Sequence, residues 1–412
     1  MQEYSFEKSY AMLEKAKQWI PNGIYGPRTP AFLTYGSYPC FLTRGKGSHI
    51  WDVDGNEYID YMCSFGTNII GLCNEEVDAA AIEQMKKGDC FTLPSNRWNE
   101  LAEAMVNQIK GQDWVVFAKN GSDVTTYATT IARAYTGKNK IILAEGAYHG
   151  SHYWCTHSSF GIPAEYNAHI LYFHYNDMEE LKRIIADNSG QIAGIMLTPH
   201  HHPATADQLM PAPGFYQELR EICDREGMLM MIDDIRCGFR LHENGSHVYY
   251  NADPDLICFG KAMANGYPIS AMTGKEIYKA TAQGAFFTGT HYFSGVPMAA
   301  ALTTLKVIVR DGVVDYVNQI GLELKQGMEQ QALAAGLKIS YTGPPAIPYM
   351  RFVEDQDFSV NRFFCGEAAK RGIFFHPHHN WFISGAHTRE DIEKTLQVTE
   401  ECFALTKKAF FE

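Results

Sequence analysis

The amino-acid sequence predicts an α/β protein with a large central domain and a smaller α+β domain formed by both ends of the chain. In the middle of the chain, short apolar runs alternate with helical patterns, which is typical of strands covered on both faces in a mostly parallel sheet. The two ends differ, because a hairpin pattern comes first and a mixture of strands and helices comes last. We therefore expect the small domain at 1–65 and 311–412 and the large domain at 66–310.

The first element is a hairpin. Residues 48–61 alternate in polarity around Asp54-Gly55, a dipeptide that accepts the backbone of a tight turn. The central strands then follow as five apolar runs. They are WVVFA (114–118), KIILA (140–144), AGIML (193–197), MLMMI (228–232) and DLICF (255–259).

The helices have periodic patterns and end signals. Residues Phe215 to Cys223 repeat apolar side chains at helical spacing, and Gly227 stands where a C-terminal cap belongs. A long helical pattern begins near residue 299. After the turn cluster TGPPAIP (342–348), Thr388 and Asp391 indicate a capped C-terminal helix.

Composition excludes several classes of protein. The 412 residues carry a net charge of −12, which disfavours binding to nucleic acid or to an anionic membrane. No apolar run approaches the roughly 18 residues that span a bilayer, and the first residues lack the basic start and apolar centre of an export signal. We expect a cytoplasmic protein that acts on small molecules.

Two charged side chains follow predicted strands. Asp233 and Asp234 come after the run 228–232, and Lys261 comes after the run 255–259. Open α/β sheets bind ligands at the carboxyl ends of such strands. A buried lysine loses its proton readily and can condense with an aldehyde, and a carboxylate can hold a protonated pyridine nitrogen. Each residue alone fits an ordinary surface charge, but together they indicate pyridoxal 5′-phosphate (PLP).

Two further patterns suit this cofactor. Gly121 and Ser122 lie between a predicted strand and a predicted helix, whose first N–H groups attract phosphate. Tyr148 and His149 follow the run 140–144, where an aromatic face can stack on a pyridine ring. By itself, the turn before the helix is more typical of an ordinary helix cap than of a phosphate site.

Several sequence blocks resemble those of the class III, fold-type I PLP-dependent aminotransferases. They are AKNGSDVT, EGAYHGS, MMIDDIRCGFR, PDLICFGKAMANGYPISA and TGTHYFSGVPMAAA. The chain ends, including PNGIYGPRTPAF and ISGAHTREDIEKTL, are similar to the glutamate-1-semialdehyde 2,1-aminomutase branch, so the resemblance covers nearly the whole chain.

The resemblance implies a role for individual residues. Lys261 would hold PLP as a Schiff base, Asp233 would pair with the pyridine nitrogen, and Ile235 would lie under the ring. Gly121 and Ser122 would bind the phosphate, although the family commonly reads Ser-Gly-Thr where this chain reads Gly-Ser-Asp.

Other matched residues concern the partner subunit and the substrate. Tyr148 would stack on the ring, and Thr290 would reach the phosphate of a neighbouring subunit, with Thr288 or Tyr292 as alternatives. The resemblance thus implies a homodimer with shared active sites. Arg28 would hold a substrate carboxylate, a task for which a planar guanidinium is well suited.

The sequence departs from the family in two histidine clusters. Many relatives have Glu-Pro after the strand corresponding to 193–197, but here Thr198-Pro199 leads into His200–His202. Residues 376–379 contain three histidines where the aminomutase has an acidic residue. Successive residues point different ways and do not all ligate one ion, so we expect His200 and its neighbours to line the substrate pocket rather than to bind metal. Aromatic residues are further pocket candidates: Trp154, Tyr25, Tyr35 and Trp381.

We therefore expect a PLP-dependent aminotransferase that moves an amino group between an amino acid or amine and a keto acid or aldehyde. The same residues would serve an aminomutase or an amino-acid racemase, and the sequence does not separate these reactions. Two alternatives from other classes are a metal-dependent hydrolase built on His200, His201 and His202, and a binding protein without catalysis.

Overall fold

The chain forms a central unit, Glu75–Val314, and an end unit built from Met1–Asn74 and Asp315–Glu412. A computed structural model describes residues 4–29, 32–156, 158–203 and 205–412. Within these ranges, no helix combines the length and the apolar character that crossing a membrane requires.

The central unit contains a seven-stranded sheet with the order β4-β10-β9-β8-β7-β5-β6. Its strands are β4 (Trp114–Ala118), β5 (Lys140–Ala144), β6 (Ile170–Phe173), β7 (Ile192–Leu197), β8 (Leu229–Asp233), β9 (Leu256–Phe259) and β10 (Ser270–Gly274). The strands from β9 to β6 are parallel, whereas β10 is antiparallel to both of its neighbours. The predicted mostly parallel α/β sheet is confirmed.

Strand β4 is the exception among the predicted strands. Its apolar run suggested a strand within the parallel sheet, but β4 lies at the edge of the sheet and pairs with β10 in antiparallel register. The parallel neighbours β8 and β9 pair Asp233 with Cys258, so these two strands end side by side. This register brings the residues that follow β9 to the same edge of the sheet as Asp233.

Helices cover the central sheet. They are α3 (Glu75–Met85), α4 (Asn96–Gln108), α5 (Gly121–Thr136), α6 (Met178–Asp187), α7 (Phe215–Glu226), α8 (Ser246–Tyr249), α9 (Lys279–Gly284) and α10 (Gly295–Arg310). The apolar face of α5 packs into the core beside the strands. The predicted cap of α7 is confirmed, because Gly227 adopts a left-handed φ of 58°.

The end unit has two small sheets. The first joins β1 (Leu42–Lys46), β2 (His49–Asp52), β3 (Glu57–Asp60) and β13 (Ile373–Phe374) in that order, and the second pairs β11 (Ile339–Thr342) with β12 (Tyr349–Phe352). The predicted hairpin is confirmed, since β2 and β3 pair antiparallel. Strand β13 pairs parallel with β3, so both ends of the chain contribute to the first sheet.

The helices of the end unit include a left-handed turn. They are α1 (Glu7–Ala16), α2 (Cys63–Gly66), α11 (Val313–Ala335), α12 (Ser359–Ala369) and α13 (Arg389–Phe410). The segment α2 is a turn rather than a true helix, because Ser64 and Phe65 have left-handed backbones. The predicted capping of α13 is confirmed: the Asp391 N–H donates to Thr388 Oγ1 over 3.1 Å, and the Thr388 N–H donates to Asp391 Oδ2 over 2.9 Å.

Candidate cofactor site

Asp233, the last residue of β8, is a buried carboxylate with two partners. His149 Nδ1 lies 2.8 Å from Asp233 Oδ2, and the Ile235 N–H donates to Asp233 Oδ1 over 3.2 Å. The His149 side chain is fully buried, and its Nε2 has no hydrogen-bond partner among the described residues. The ring is fixed further by its own backbone, because Thr125 Oγ1 donates to the His149 carbonyl over 2.8 Å. Sequence reasoning singled out Asp233 but missed that His149 supports it.

Lys261 follows β9 after Gly260 and has a left-handed φ of 42°. Burial lowers the pKa of the Lys261 amine to about 7, and the Arg236 guanidinium acts in the same direction. The Asp233 carboxylate opposes this change, because a nearby negative charge favours the protonated amine. A substantial fraction of the amine is therefore neutral near pH 7, as a nucleophile must be.

Two glycines and Ile235 form a closely packed floor. A Cβ placed on Gly121 would approach Ile235 Cδ1 to 2.6 Å, and a Cβ on Gly260 would approach Ile235 Cγ2 to 3.4 Å. The Ile235 side chain thus lies against the backbone at both positions. The structure thus brings Gly121, Ile235 and Gly260, the residue before Lys261, together.

The turn before α5 is ordered by its own side chains. The Asn120 N–H donates to Asp123 Oδ2 over 2.8 Å, and the Ser151 N–H donates to Ser122 Oγ over 3.0 Å. The Ser122 hydroxyl keeps its own proton for a further acceptor. The N-terminus of α5 therefore presents N–H groups and one hydroxyl, which suits a phosphate.

Two aromatic residues have different surroundings. Tyr148 is 49% exposed, so its ring is accessible to a planar ligand. Trp154 is 8% exposed, and its indole N–H donates to Thr126 Oγ1 over 2.8 Å. Trp154 lines a cavity of about 650 Å³ together with Arg133, His152 and Tyr166, and neither Lys261 nor Asp233 lines that cavity.

The residues that follow β7 form a buried imidazole cluster. His200 Nε2 lies 2.9 Å from Gln208 Oε1, and its Nδ1 lies 3.2 Å from Tyr250 Oη, so both of its nitrogens have protein partners. His201 stacks on Tyr175 with the ring centroids 5.3 Å apart. Burial lowers the pKa of His200 and of His201 to about 4 and that of His202 well below its usual range.

These histidines are therefore neutral at pH 7. Both ring nitrogens of His202 are buried without a hydrogen-bond partner among the described residues. Across the same described ranges, no group of three or more His, Cys, Asp or Glu side chains has an arrangement suited to a metal ion.

Thr290 lies in the exposed loop between α9 and α10, as does Thr288. Tyr292 differs from them, because burial and the Asp123 carboxylate of its own chain raise the pKa of its hydroxyl. Tyr292 therefore lies near Asp123 in the first turn of α5, whereas Thr290 and Thr288 are exposed.

Comparisons with known proteins identify the family. Residues 33–384 match the family described as Aminotransferase class-III. The chain belongs to this family. It is therefore a PLP-dependent aminotransferase of fold type I, whose substrates are an amino donor and a carbonyl acceptor.

Named relatives support this assignment along the whole chain. The aminopentol aminotransferase of Sphingopyxis macrogoltabida is 39% identical over 397 residues, which cover 96% of this chain and 94% of the relative. The 3-aminobutyryl-CoA aminotransferase of Cloacimonas acidaminovorans (strain Evry) is 38% identical and covers 97% and 98%. The glutamate-1-semialdehyde 2,1-aminomutase of Desulforamulus reducens is 33% identical and covers 98% and 99%.

A solved structure has the same fold. The PLP internal aldimine form of the FumI protein of Sphingopyxis sp. MTA144 is 38% identical to this chain, covers 98% of both chains and has a TM-score of 0.96. The chemistry of the residues described above suits the cofactor, because a buried carboxylate, a lysine with a lowered pKa and a helix N-terminus are complementary to a pyridine nitrogen, an aldehyde and a phosphate.

Proposed function

We propose that Lys261 holds PLP and moves the proton of the reaction, and that Asp233, braced by His149, pairs with the pyridine nitrogen. The observation that carries this proposal is the register of β8 and β9, which ends the two strands side by side. The Asp233 carboxylate acts on Lys261 electrostatically, and the amine has a pKa of about 7.

The roles of the chain's own residues follow from their chemistry. PLP, when bound, provides an electron sink for the electron pair left on the substrate carbon. A substantial fraction of Lys261 Nζ is neutral near pH 7, so it can take the proton from the amino-bearing carbon and return it to a neighbouring atom. The imidazole of His149 orients the Asp233 carboxylate, while Ile235 and the two glycines present a flat surface to a planar ring.

The overall reaction we propose is transamination, in which the donor leaves as a carbonyl compound and an acceptor then receives the nitrogen. The two relatives at 38–39% identity are named aminotransferases, whereas the named aminomutases are 30–33% identical. The substrates named for those two aminotransferases are an aminopentol and a 3-aminobutyryl thioester. We therefore propose that the donors include amines whose amino carbon carries no carboxylate.

Incubation of the PLP-loaded protein with a panel of amines and amino acids, without a carbonyl acceptor, tests this function. We expect the absorbance of the PLP form to fall as an equimolar carbonyl product appears. Lys261→Ala should give no product, and Lys275→Ala, which removes a lysine paired with Asp253, is the matched control that should react normally. A moved amino group or a racemised donor, with the PLP absorbance retained, would instead establish a mutase or a racemase.

The residues assigned to the substrate differ in how well the structure supports them. His200 is fully buried and both of its nitrogens are bonded within the protein, which favours a structural role. Trp154 lines a different cavity from the lysine. Arg28 is exposed and carries a permanent charge, so we propose Arg28 as the residue that receives an anionic group of the substrate.

We also propose a homodimer in which Thr290 contributes to the phosphate site of the partner subunit. The exposed position of Thr290 supports this, as does Phe286 in the same loop, which is 91% exposed. Mixed dimers of Lys261→Ala and Thr290→Ala subunits test the arrangement. If sites are shared, one of the two sites in a mixed dimer carries both defects and the other carries none, so activity should exceed that of either parent. No gain over the parents would contradict sharing.

A further inference from the structure

The end unit contains a histidine that lies between two carboxylates. His49 Nδ1 lies 2.8 Å from Glu57 Oε1, and His49 Nε2 lies 2.9 Å from Asp391 Oδ1. Glu57 begins β3, which pairs with the strand of His49, whereas Asp391 lies in the first turn of α13, near the other end of the chain. These three residues are called the His49 cluster. None of them belongs to the proposed cofactor site.

The positions of the two carboxylates require a protonated ring. A neutral imidazole has one N–H donor and one lone pair, so one of its nitrogens would face a carboxylate oxygen with a lone pair. The imidazolium has two donors and satisfies both carboxylates. The hydrogen bond to Asp391 raises the pKa of His49 above its usual value, partial burial acts in the opposite direction, and Glu57 adds to the rise.

The Asp391 carboxylate is the more firmly held of the two. Its side chain is 9% exposed, against 45% for Glu57. Asp391 Oδ2 accepts from Ser48 Oγ over 2.8 Å and from the Thr388 N–H over 2.9 Å. Burial alone would raise the pKa of Asp391, but its hydrogen bonds with His49, Thr388 and Ser48 hold that pKa below its usual range. Asp391 is therefore ionised at every pH at which the histidine titrates.

Strand β1 contributes two cations on the side of the sheet where His49 lies. Lys46 lies opposite His49, and Arg44 lies over the Trp51 ring, which stacks on His49 with the ring centroids 6.0 Å apart. Both cations are exposed, so water and salt screen their repulsion of the imidazolium. The two carboxylates lie at hydrogen-bonding distance and therefore outweigh them.

The His49 cluster joins the two chain segments that form the end unit. Met1–Asn74 supplies the histidine, and Asp315–Glu412 supplies Asp391. A second contact between the same segments, from the Tyr38 hydroxyl to the Phe375 carbonyl over 2.8 Å, contains no group that titrates near neutral pH. The His49 cluster is different, because its central group is an imidazole.

We propose that the His49 cluster is a pH-sensitive link between the hairpin β2–β3 and the N-terminus of α13. At neutral pH the imidazolium bonds both carboxylates. As the pH rises and the ring loses one proton, the remaining N–H stays with the more buried Asp391, and the exposed Glu57 is released to water. The stability that the link provides is fully present below about pH 6.5, the ordinary pKa of histidine, and is lost as the pH rises through the higher pKa of the folded protein.

Hydrogen–deuterium exchange of the PLP-loaded protein, followed by mass spectrometry, tests the proposal. The backbone exchange rates of peptides covering 49–60 and 388–395 are divided into those of unstructured peptides at the same pH. The resulting protection factor is free of the intrinsic pH dependence of exchange. In the unaltered protein we expect both protection factors to be constant below about pH 6.5 and to fall about tenfold above it, the equivalent of a pKa raised by one unit.

Three variants separate the charge of His49 from its packing. His49→Gln carries no titratable group, so both protection factors should be low and independent of pH. Glu57→Gln removes one negative charge beside the histidine, so the fall in protection should occur at a lower pH. His174→Gln is the matched control, because His174 also lies beside a carboxylate, 3.0 Å from Glu180 in the central unit. This control should behave as the unaltered protein does.

A second measurement needs no variant. The hydrogen on the ring carbon Cε1 of a histidine exchanges slowly at a rate that depends on ring protonation, so the peptide that contains His49 gives the midpoint of its titration in the unaltered protein. We expect this midpoint to lie above about pH 6.5. A midpoint at or below that value overturns the proposal. So does a fall in protection with rising pH that is as large in His49→Gln as in the unaltered protein.

Discussion

The carboxyl ends of β7 and β8 are neighbours in the central sheet, but the buried titratable side chains at these two ends have different surroundings. At the end of β8, the Asp233 carboxylate accepts from the Ile235 N–H and lies beside His149 Nδ1. After β7, burial holds His200, His201 and His202 in their neutral forms. The two strand ends therefore offer different chemistry: a carboxylate beside an imidazole and an N–H donor at the end of β8, and neutral imidazoles after β7.

The largest effect on kcat/KM should come from substitution of Asp233, at the end of β8. Asp233→Asn keeps the shape of the side chain but removes the negative charge that faces the pyridine nitrogen, so we expect kcat/KM to fall about a hundredfold or more. Steady-state kinetics with one donor and one acceptor measure the loss.

Asp234→Asn is the matched control for Asp233→Asn. Asp234 is also buried, but its carboxylate accepts from the Ser246 N–H instead of facing the site. We expect nearly full kcat/KM from this variant. Equal losses from the two substitutions would contradict the assigned role of Asp233.

Substitution of His149, which supports the Asp233 carboxylate, should have a smaller effect on kcat/KM. His149→Leu deletes the group 2.8 Å from Asp233 Oδ2 and leaves the carboxylate less well held, so we expect kcat/KM to fall about tenfold. His149→Asn keeps an N–H donor and should lose less. The absorbance spectrum of bound PLP, measured against pH, separates support of the Asp233 carboxylate from a general structural role of His149. Only loss of the support should change the pH at which the spectrum changes.

The effect of the Arg236 charge on the pKa of Lys261 can be tested through the pH dependence of PLP binding. A nearby cation disfavours the protonated amine, so Arg236 contributes to the low pKa of Lys261. In Arg236→Met this contribution is lost and the pKa of Lys261 should rise. The rate at which the apoenzyme recombines with PLP requires the neutral amine, so it should increase as the pH rises through about 7 in the unaltered protein. The midpoint of this increase in rate should lie at a higher pH in Arg236→Met. It should not move in the control Arg133→Met, which alters an arginine that lines a different cavity.

The smallest effect concerns stability at the end of β7. His202 buries two ring nitrogens without hydrogen-bond partners among the described residues, a cost that His202→Leu removes. We expect the free energy of unfolding of the apoenzyme to rise by about 1 kcal/mol in urea titrations. His200→Leu should instead destabilise the protein, because Gln208 and Tyr250 lose their partner. A loss of stability in both variants would show that the His202 nitrogens are satisfied after all.

The sequence was informative where the signal is local. Apolar runs located β4 to β9 except for β6, and end signals located the caps of α7 and α13. The antiparallel strand β10 has the mixed, small residues SAMTG, so its run carries no clear strand pattern, and the edge position of β4 depends on that long-range pairing.

The site likewise contains residues that follow a local sequence pattern and contacts that join distant parts of the chain. The positions of Asp233 and Lys261 at strand ends were predictable, because an apolar run precedes each of them. The contact between His149 and Asp233 joins residues 84 positions apart, so no local pattern reveals it.

The most direct test of the central claim is to reduce the PLP-loaded protein with borohydride, digest it and locate the added mass by mass spectrometry. The proposed mechanism requires the label on Lys261, with none at that position after prior conversion to the pyridoxamine form by a donor amine. A label on another lysine, or reduction that leaves every peptide unmodified, would contradict it.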